Sequence, residues 1–198
     1  DVYKRQMHVQ GKENKDWNNF GKPSAAFMKE CIQPLPEVEA CTAFSTADVA
    51  LVSLTDGNNR LKVDAMSTDP DFWKIFKLQF LDGKSFTEAE RGGDMQSVVI
   101  SASVARKLFG TTEAAGRQML LNREVVRIIG VVKDISVTAK DAYAQVWSMY
   151  HSNELNVTGW WSYNGNRTIA VLARTPDDFP AIKQGVEKRV KDVNAGLE

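Results

Sequence analysis

Apolar and polar positions along the chain change period several times, marking short strands and helices in mixed order. Residues 1–22 are polar apart from Val2, Tyr3, Met7 and Val9, which predict a short opening strand followed by a loop. Ser24 is suited to cap a helix over residues 24–33, because Phe27, Met28, Cys31 and Ile32 recur at helical spacing until Pro34 and Pro36 forbid continuation. Val38, Ala40, Thr42 and Phe44 then alternate with their neighbours as a strand does. Ala50–Leu54 and the run Leu61, Val63, Ala65 flank Asp56-Gly57-Asn58-Asn59, a strong hairpin signal.

In the middle of the chain, Asp69-Pro70-Asp71 predicts a helix start with Asp69 as cap and Pro70 in the first turn. Phe72, Trp73, Ile75 and Phe76 give that helix an aromatic surface. A turn at Asp82-Gly83 and a polar loop over residues 87–94 precede Val98-Val99-Ile100, whose branching and length predict a buried strand. Ser101 caps a helix over residues 102–108, which Gly110 stops. Met119–Leu121 and Val125–Val132 predict a hairpin around Asn122-Arg123-Glu124. Strands are also predicted over residues 144–149 and 168–173. A terminal helix begins near Thr175-Pro176, with Phe179, Ile182, Val186, Val190 and Val193 along one stripe. Helices and strands are mixed rather than strictly alternating, so the fold class is α+β.

The 198 residues, 43% hydrophobic and 25% charged, suffice for one large or two small cores. Lys plus Arg and Asp plus Glu each number 25, and this neutral balance gives no field to draw the chain toward nucleic acid. The longest apolar stretches, such as Ile128–Val132, fall far short of the roughly 20 residues a membrane helix needs, and the first residues lack the apolar run of a signal peptide. Cys31 and Cys41 permit one disulfide, or else serve as small buried apolar residues.

Candidate chemistry is sparse. His8 and His151 are the two histidines, and neither has an evident orienting partner for general-base work. The close carboxylates Asp69/Asp71 and Asp177/Asp178 stand at helix starts, where capping explains them, and Glu88/Glu90 falls in the polar loop. No metal-ligand spacing and no phosphate-binding glycine motif occurs, so neither a metal nor a cofactor is expected. The concentration of Trp147, Tyr150, Trp160, Trp161 and Tyr163, with Asn164 and Asn166, admits three readings: core packing, a partner surface, or a small-ligand site.

Residues 72–134 carry an ordered succession of signatures. It comprises Phe72-Trp73-Lys74-Ile75-Phe76, Leu81-Asp82-Gly83-Lys84-Ser85-Phe86, Val98-Val99-Ile100-Ser101, Ala105-Arg106-Lys107-Leu108-Phe109-Gly110, Gly116-Arg117, and Ile128-Ile129-Gly130-Val131-Val132-Lys133-Asp134. In this order they resemble the extracytoplasmic core domain of MacB/FtsX-type permeases of ABC transporters. Each has a plain packing role, including a strand glycine, Gly130, at which another backbone can approach closely.

The resemblance implies two lobes. A porter-like lobe would be built from residues 1–66 and 141–198, and an inserted sabre-like lobe from residues 67–140. It further implies a non-catalytic, periplasmic part of an inner-membrane protein that couples cytosolic ATP hydrolysis to export or mechanotransmission. The implied partners are a cognate cytosolic ATPase, a second permease copy, and a periplasmic adaptor or substrate protein. The alternative is a freestanding extracytoplasmic module that binds glycans or peptides through the aromatic concentration. A hydrolase using His151 ranks third.

Overall fold

The computed structural model describes residues 22–158 and 160–195, the side chains of residues 160, 161 and 194 aside. The expected opening strand and His8 lie outside the described residues. β1 (Lys22–Pro23) leads into α1 (Ala25–Phe27), which runs on as a π-helical turn, Met28–Ile32. The Ser24 hydroxyl accepts the Phe27 backbone N–H at 3.1 Å, so the cap read from the sequence is in place. β2 (Val38–Ser45), β3 (Asp48–Ser53) and β4 (Leu61–Thr68) follow. β3 and β4 form the expected hairpin; the Asp56 carboxylate accepts the Asn58 backbone N–H at 2.9 Å, and Gly57 takes a φ of 84°.

α2 (Phe72–Phe76) departs from expectation at its start. Asp71 precedes it in place of Asp69, and the Asp69 carboxylate accepts the Asp71 backbone N–H at 3.0 Å. β5 (Phe80–Gly83) and β6 (Ser97–Ser101) come next, then α3 (Ala102–Phe109), capped by the Ser101 hydroxyl and closed by Gly110 at a φ of 74°. β7 (Gln118–Leu121) and β8 (Glu124–Val132) are joined by Asn122 and Arg123, both at positive φ, as the tight twist of a two-residue hairpin requires. β9 (Val146–Met149), β10 (Asn164–Gly165), β11 (Arg167–Ala173) and α4 (Phe179–Ala195) complete the order. Ahead of α4, the Asp178 carboxylate accepts both the backbone N–H and the hydroxyl of Thr175 at 2.9 Å.

The chain forms two compact units, one of Asp1–Phe44 with Ser152–Glu198 and the other of Ser45–His151. The described segments on either side of the middle unit, residues 22–44 and 152–195, therefore belong to one unit. The crossings fall at 44/45 and 151/152, outside the boundaries at 66/67 and 140/141 drawn from the sequence. The reason is hydrogen bonding: β3, β4 and β9 belong to the sheet of the middle segment.

That sheet has seven strands in the order β5-β8-β6-β9-β4-β3-β7, and β7 also pairs with β8. Six strands thus close into a ring. The length of β8 makes this possible: its first half pairs with β7 through Glu124–Arg127, and Gly130–Val132 pair with β5. Inside, Val52, Val63, Val98, Ile100, Ile128, Val131 and Val146 share one core with Val104, Ala105 and Leu108 of α3. Val99 is also fully buried, although it alternates with Val98 and Ile100 and must point the other way. Its neighbours across the strands are Trp147 on β9 and Gly130 on β8, and Met66 lies beyond Trp147 on β4. The α2 aromatics cover this second face: Trp73 lies 6.1 Å from Trp147, 5.3 Å from Phe80 and 5.2 Å from Phe86, ring centre to ring centre.

In the other unit β2 pairs with β11, and β1 with β10. Ile182 of α4 is buried, with Val186, Val190 and Val193 half-buried along the expected stripe. Gly185 permits close packing there, since a Cβ would fall 2.7 Å from Leu35 Cδ2. Cys31 and Cys41 are not bridged; both are buried thiols.

Candidate functional site

The aromatic residues singled out in the sequence are not one exposed surface. Trp147 is 0% exposed, and its indole N–H has no hydrogen-bond partner among the described residues. Tyr150 is buried at the end of the same strand's run, and Tyr163 is buried in the other unit, edge-on to Phe27 at 6.2 Å. These three are therefore core residues, because each ring packs against neighbours already assembled around it. The side chains of Trp160 and Trp161 lie outside the description.

A polar cluster gathers around Tyr150 that the sequence reading missed. Arg91 lies in a loop with every mark of a solvated segment, yet its side chain is only 11% exposed. Its guanidinium holds both carboxylate oxygens of Glu88, at 2.6 and 3.0 Å, donates to the Tyr150 carbonyl at 2.9 Å, and stands over the Tyr150 ring at 5.1 Å. The Tyr150 hydroxyl donates to Asp69 at 3.2 Å, and Asp69 is 5% exposed. The hydrogen bonds to Glu88 raise the Arg91 pKa further, keeping it cationic. A signal was present in the sequence: Glu88 and Arg91 stand three apart, and Thr87 with Glu90 spells a capping box. The Thr87 hydroxyl above all, opposed by burial and assisted by the Thr87 backbone N–H and by Lys84, holds the Glu90 carboxyl below the usual range.

Two other paired carboxylates have structural partners too. Asp71 pairs with Lys74 at 2.7 Å, and Asp178 caps the Thr175 turn. His151 is exposed. Among the described residues no group of three or more His, Cys, Asp or Glu side chains could hold a metal ion.

In the unit containing both ends, Cys31, Glu30 and Tyr163 form a coupled set. Burial, then the Glu30 charge, pushes the Cys31 thiol up to about 11. Burial, then the hydrogen bond its hydroxyl donates to Glu30 at 2.9 Å, pushes Tyr163 up to about 12. Both groups hold their protons longer folded than unfolded, so their contribution to stability is intact below about pH 9 and is lost as pH rises toward 11–12. Thermal melts at rising pH are expected to show an alkaline fall in this unit's midpoint. Tyr163→Phe, which removes the ionising hydroxyl, should make the fall shallower above pH 10; an unchanged slope would contradict this.

The sequence matches the family of MacB-like periplasmic core domains over residues 3–189. The chain belongs to that family. A macrolide export ATP-binding/permease protein MacB of Wolinella succinogenes is 26% identical over 149 residues, covering 74% of this chain and 23% of the relative. Its counterpart in Neisseria meningitidis serogroup A is 27% identical over 142 residues, covering 71% of this chain and 21% of the relative. The MacB-like chain thus spans less than a quarter of these relatives' length. Among solved structures, the periplasmic region of MacB from Actinobacillus actinomycetemcomitans superposes with a TM-score of 0.66 at 16% identity, covering 95% of this chain and 82% of that one. The extracellular domain of the noncanonic ABC-type transporter YknZ from Gram-positive bacteria gives 0.63 at 18% identity, covering 88% and 85%. These likenesses establish a MacB-like fold, and no helix among the described residues is long and apolar enough to cross a membrane.

Proposed function

We propose that this MacB-like domain works outside the cytoplasm as the non-catalytic part of an ABC-transporter permease. It couples ATP hydrolysis on the other side of the membrane to export or mechanotransmission through its own movement and its contacts. Asp1–Phe44 with Ser152–Glu198 take the role of the porter-like lobe, and Ser45–His151 that of the inserted sabre-like lobe. The partners are a cytosolic ATPase, a second permease copy, and an adaptor or substrate protein in the periplasm.

The observation that carries this reading is the family match across residues 3–189, supported by a middle unit inserted into one built from both ends. That connectivity suits a domain strung between two membrane helices, since the segments flanking the middle unit on both sides belong to the same unit. The topology has a direct test. With the parent protein expressed in cells and the outer membrane removed, protease added from outside is expected to cut at the exposed Val137 loop while the inner membrane is intact. Cleavage only after lysis of the inner membrane would overturn the proposal.

A further inference from the structure

Two consecutive residues carry the chain out of the seven-stranded unit, Tyr150 and His151, just past the end of β9. The strand ladder supplies little to them: the Tyr150 backbone N–H donates to Thr68 at 3.2 Å, and the paired registers of β9 stop at Met149. What holds the carbonyls here is side chains from the 87–96 segment. Arg91 donates to the Tyr150 carbonyl at 2.9 Å, and Gln96 reaches the Met149 carbonyl at 3.4 Å.

Arg91 is prepared for this contact. Glu88 takes two of its N–H groups in a fork, which fixes the plane of the guanidinium and aims the third toward Tyr150. The same guanidinium stacks over the Tyr150 ring, while the hydroxyl at the ring's far end is tied to buried Asp69. Asp69 in turn accepts the Asp71 backbone N–H, just ahead of α2. One side chain therefore grips the exit peptide through its carbonyl and its ring together.

We infer that Arg91 is a positioning residue, a latch by which the 87–96 segment holds the Tyr150–His151 exit of the seven-stranded unit in a fixed course. The segment carries its own brace, the Thr87–Glu90 capping box, so the latch is presented from a locally ordered turn. Disengaging Arg91 releases the exit peptide without dismantling the strands of the closed ring, because β6 and β8 make no use of it.

Amide hydrogen exchange on the 198-residue chain tests the latch. In Arg91→Met the exit peptide loses its hold, and the Tyr150 amide, whose own bond to the Thr68 carbonyl then frays with it, is expected to exchange at least about tenfold faster, on the scale of one charge-assisted hydrogen bond. Amides of Val99 and Val131 in β6 and β8 should stay within about twofold of the wild type if opening is local. Arg91→Lys, which keeps the charge but not the planar fork, is expected to resemble Arg91→Met. Three results would each overturn the inference: an unchanged Tyr150 amide in Arg91→Met, wild-type protection in Arg91→Lys, or acceleration shared equally by Val99 and Val131.

Discussion

Replacing Gly130 with valine is expected to destabilise the seven-stranded unit by about 3–5 kcal/mol and to lower its melting midpoint by roughly 10 °C. The cause is space. A Cβ on Gly130 would fall 2.3 Å from the Lys84 carbonyl oxygen and 2.7 Å from Phe80 Cε1. The first obstacle is backbone, held in place by the bond from the Lys84 N–H to the Ile129 carbonyl at 2.9 Å, so it cannot swing aside as a flexible side chain would. Gly83 faces the same approach from the other strand: its Cβ would meet the Ile129 oxygen at 2.1 Å. Valine at 130 must therefore pry β5 from β8 and displace Phe80 from Trp73, opening the aromatic layer over Val99. Gly92→Ala is the control. Its φ of 82° carries a left-handed penalty of about 1–2 kcal/mol, but its Cβ meets nothing within 4 Å. A Gly130→Val protein melting no lower than Gly92→Ala would refute the close approach.

Gly130 also shows what the sequence discloses well. A glycine inside a long β-branched strand has few explanations, and close backbone approach is the one found. The caps at Ser24 and Ser101, the stop at Gly110 and the turns at Asp56-Gly57 and Asn122-Arg123 are equally legible, since each depends on residues within a few positions of one another. The unit boundaries are not. Parallel pairing of β4 with β9 joins Ala65 to Val146 across some eighty residues, and nothing in either strand's alternation records its partner. The local sequence around Asp69 asks for a cap, whereas the buried Tyr150 hydroxyl claims its other oxygen. Arg91 is hidden from a local reading for the same reason, its burial being supplied by a strand end some sixty residues away. The aromatic residues leave three readings open in the sequence for a different reason: Val146, Trp147 and Met149 are buried on alternating faces, and a strand covered on both sides has no polar face to say which ring is outward.

Trp147 separates the core reading from a surface one most sharply. Trp147→Ala is expected to cost about 3–5 kcal/mol, because the side chain is fully buried between Met66 and Val99 and no neighbour can collapse into the vacated volume without disturbing the Trp73 layer. On an exposed ligand platform the same change would alter stability by no more than about 0.5 kcal/mol. Trp147→Phe sharpens the comparison. Among the described residues the indole N–H has no hydrogen-bond partner, so phenylalanine forfeits no bond there and removes a buried unsatisfied donor. Its net cost is expected to stay near 1 kcal/mol despite the smaller ring, well below that of alanine. Denaturant unfolding of the two variants beside the wild type measures both quantities. Equal large losses would mean that the indole N–H has a partner after all, and a negligible loss in Trp147→Ala would place the ring outside the core, undoing the account of the β6–β9 face on which the α2 aromatics rest.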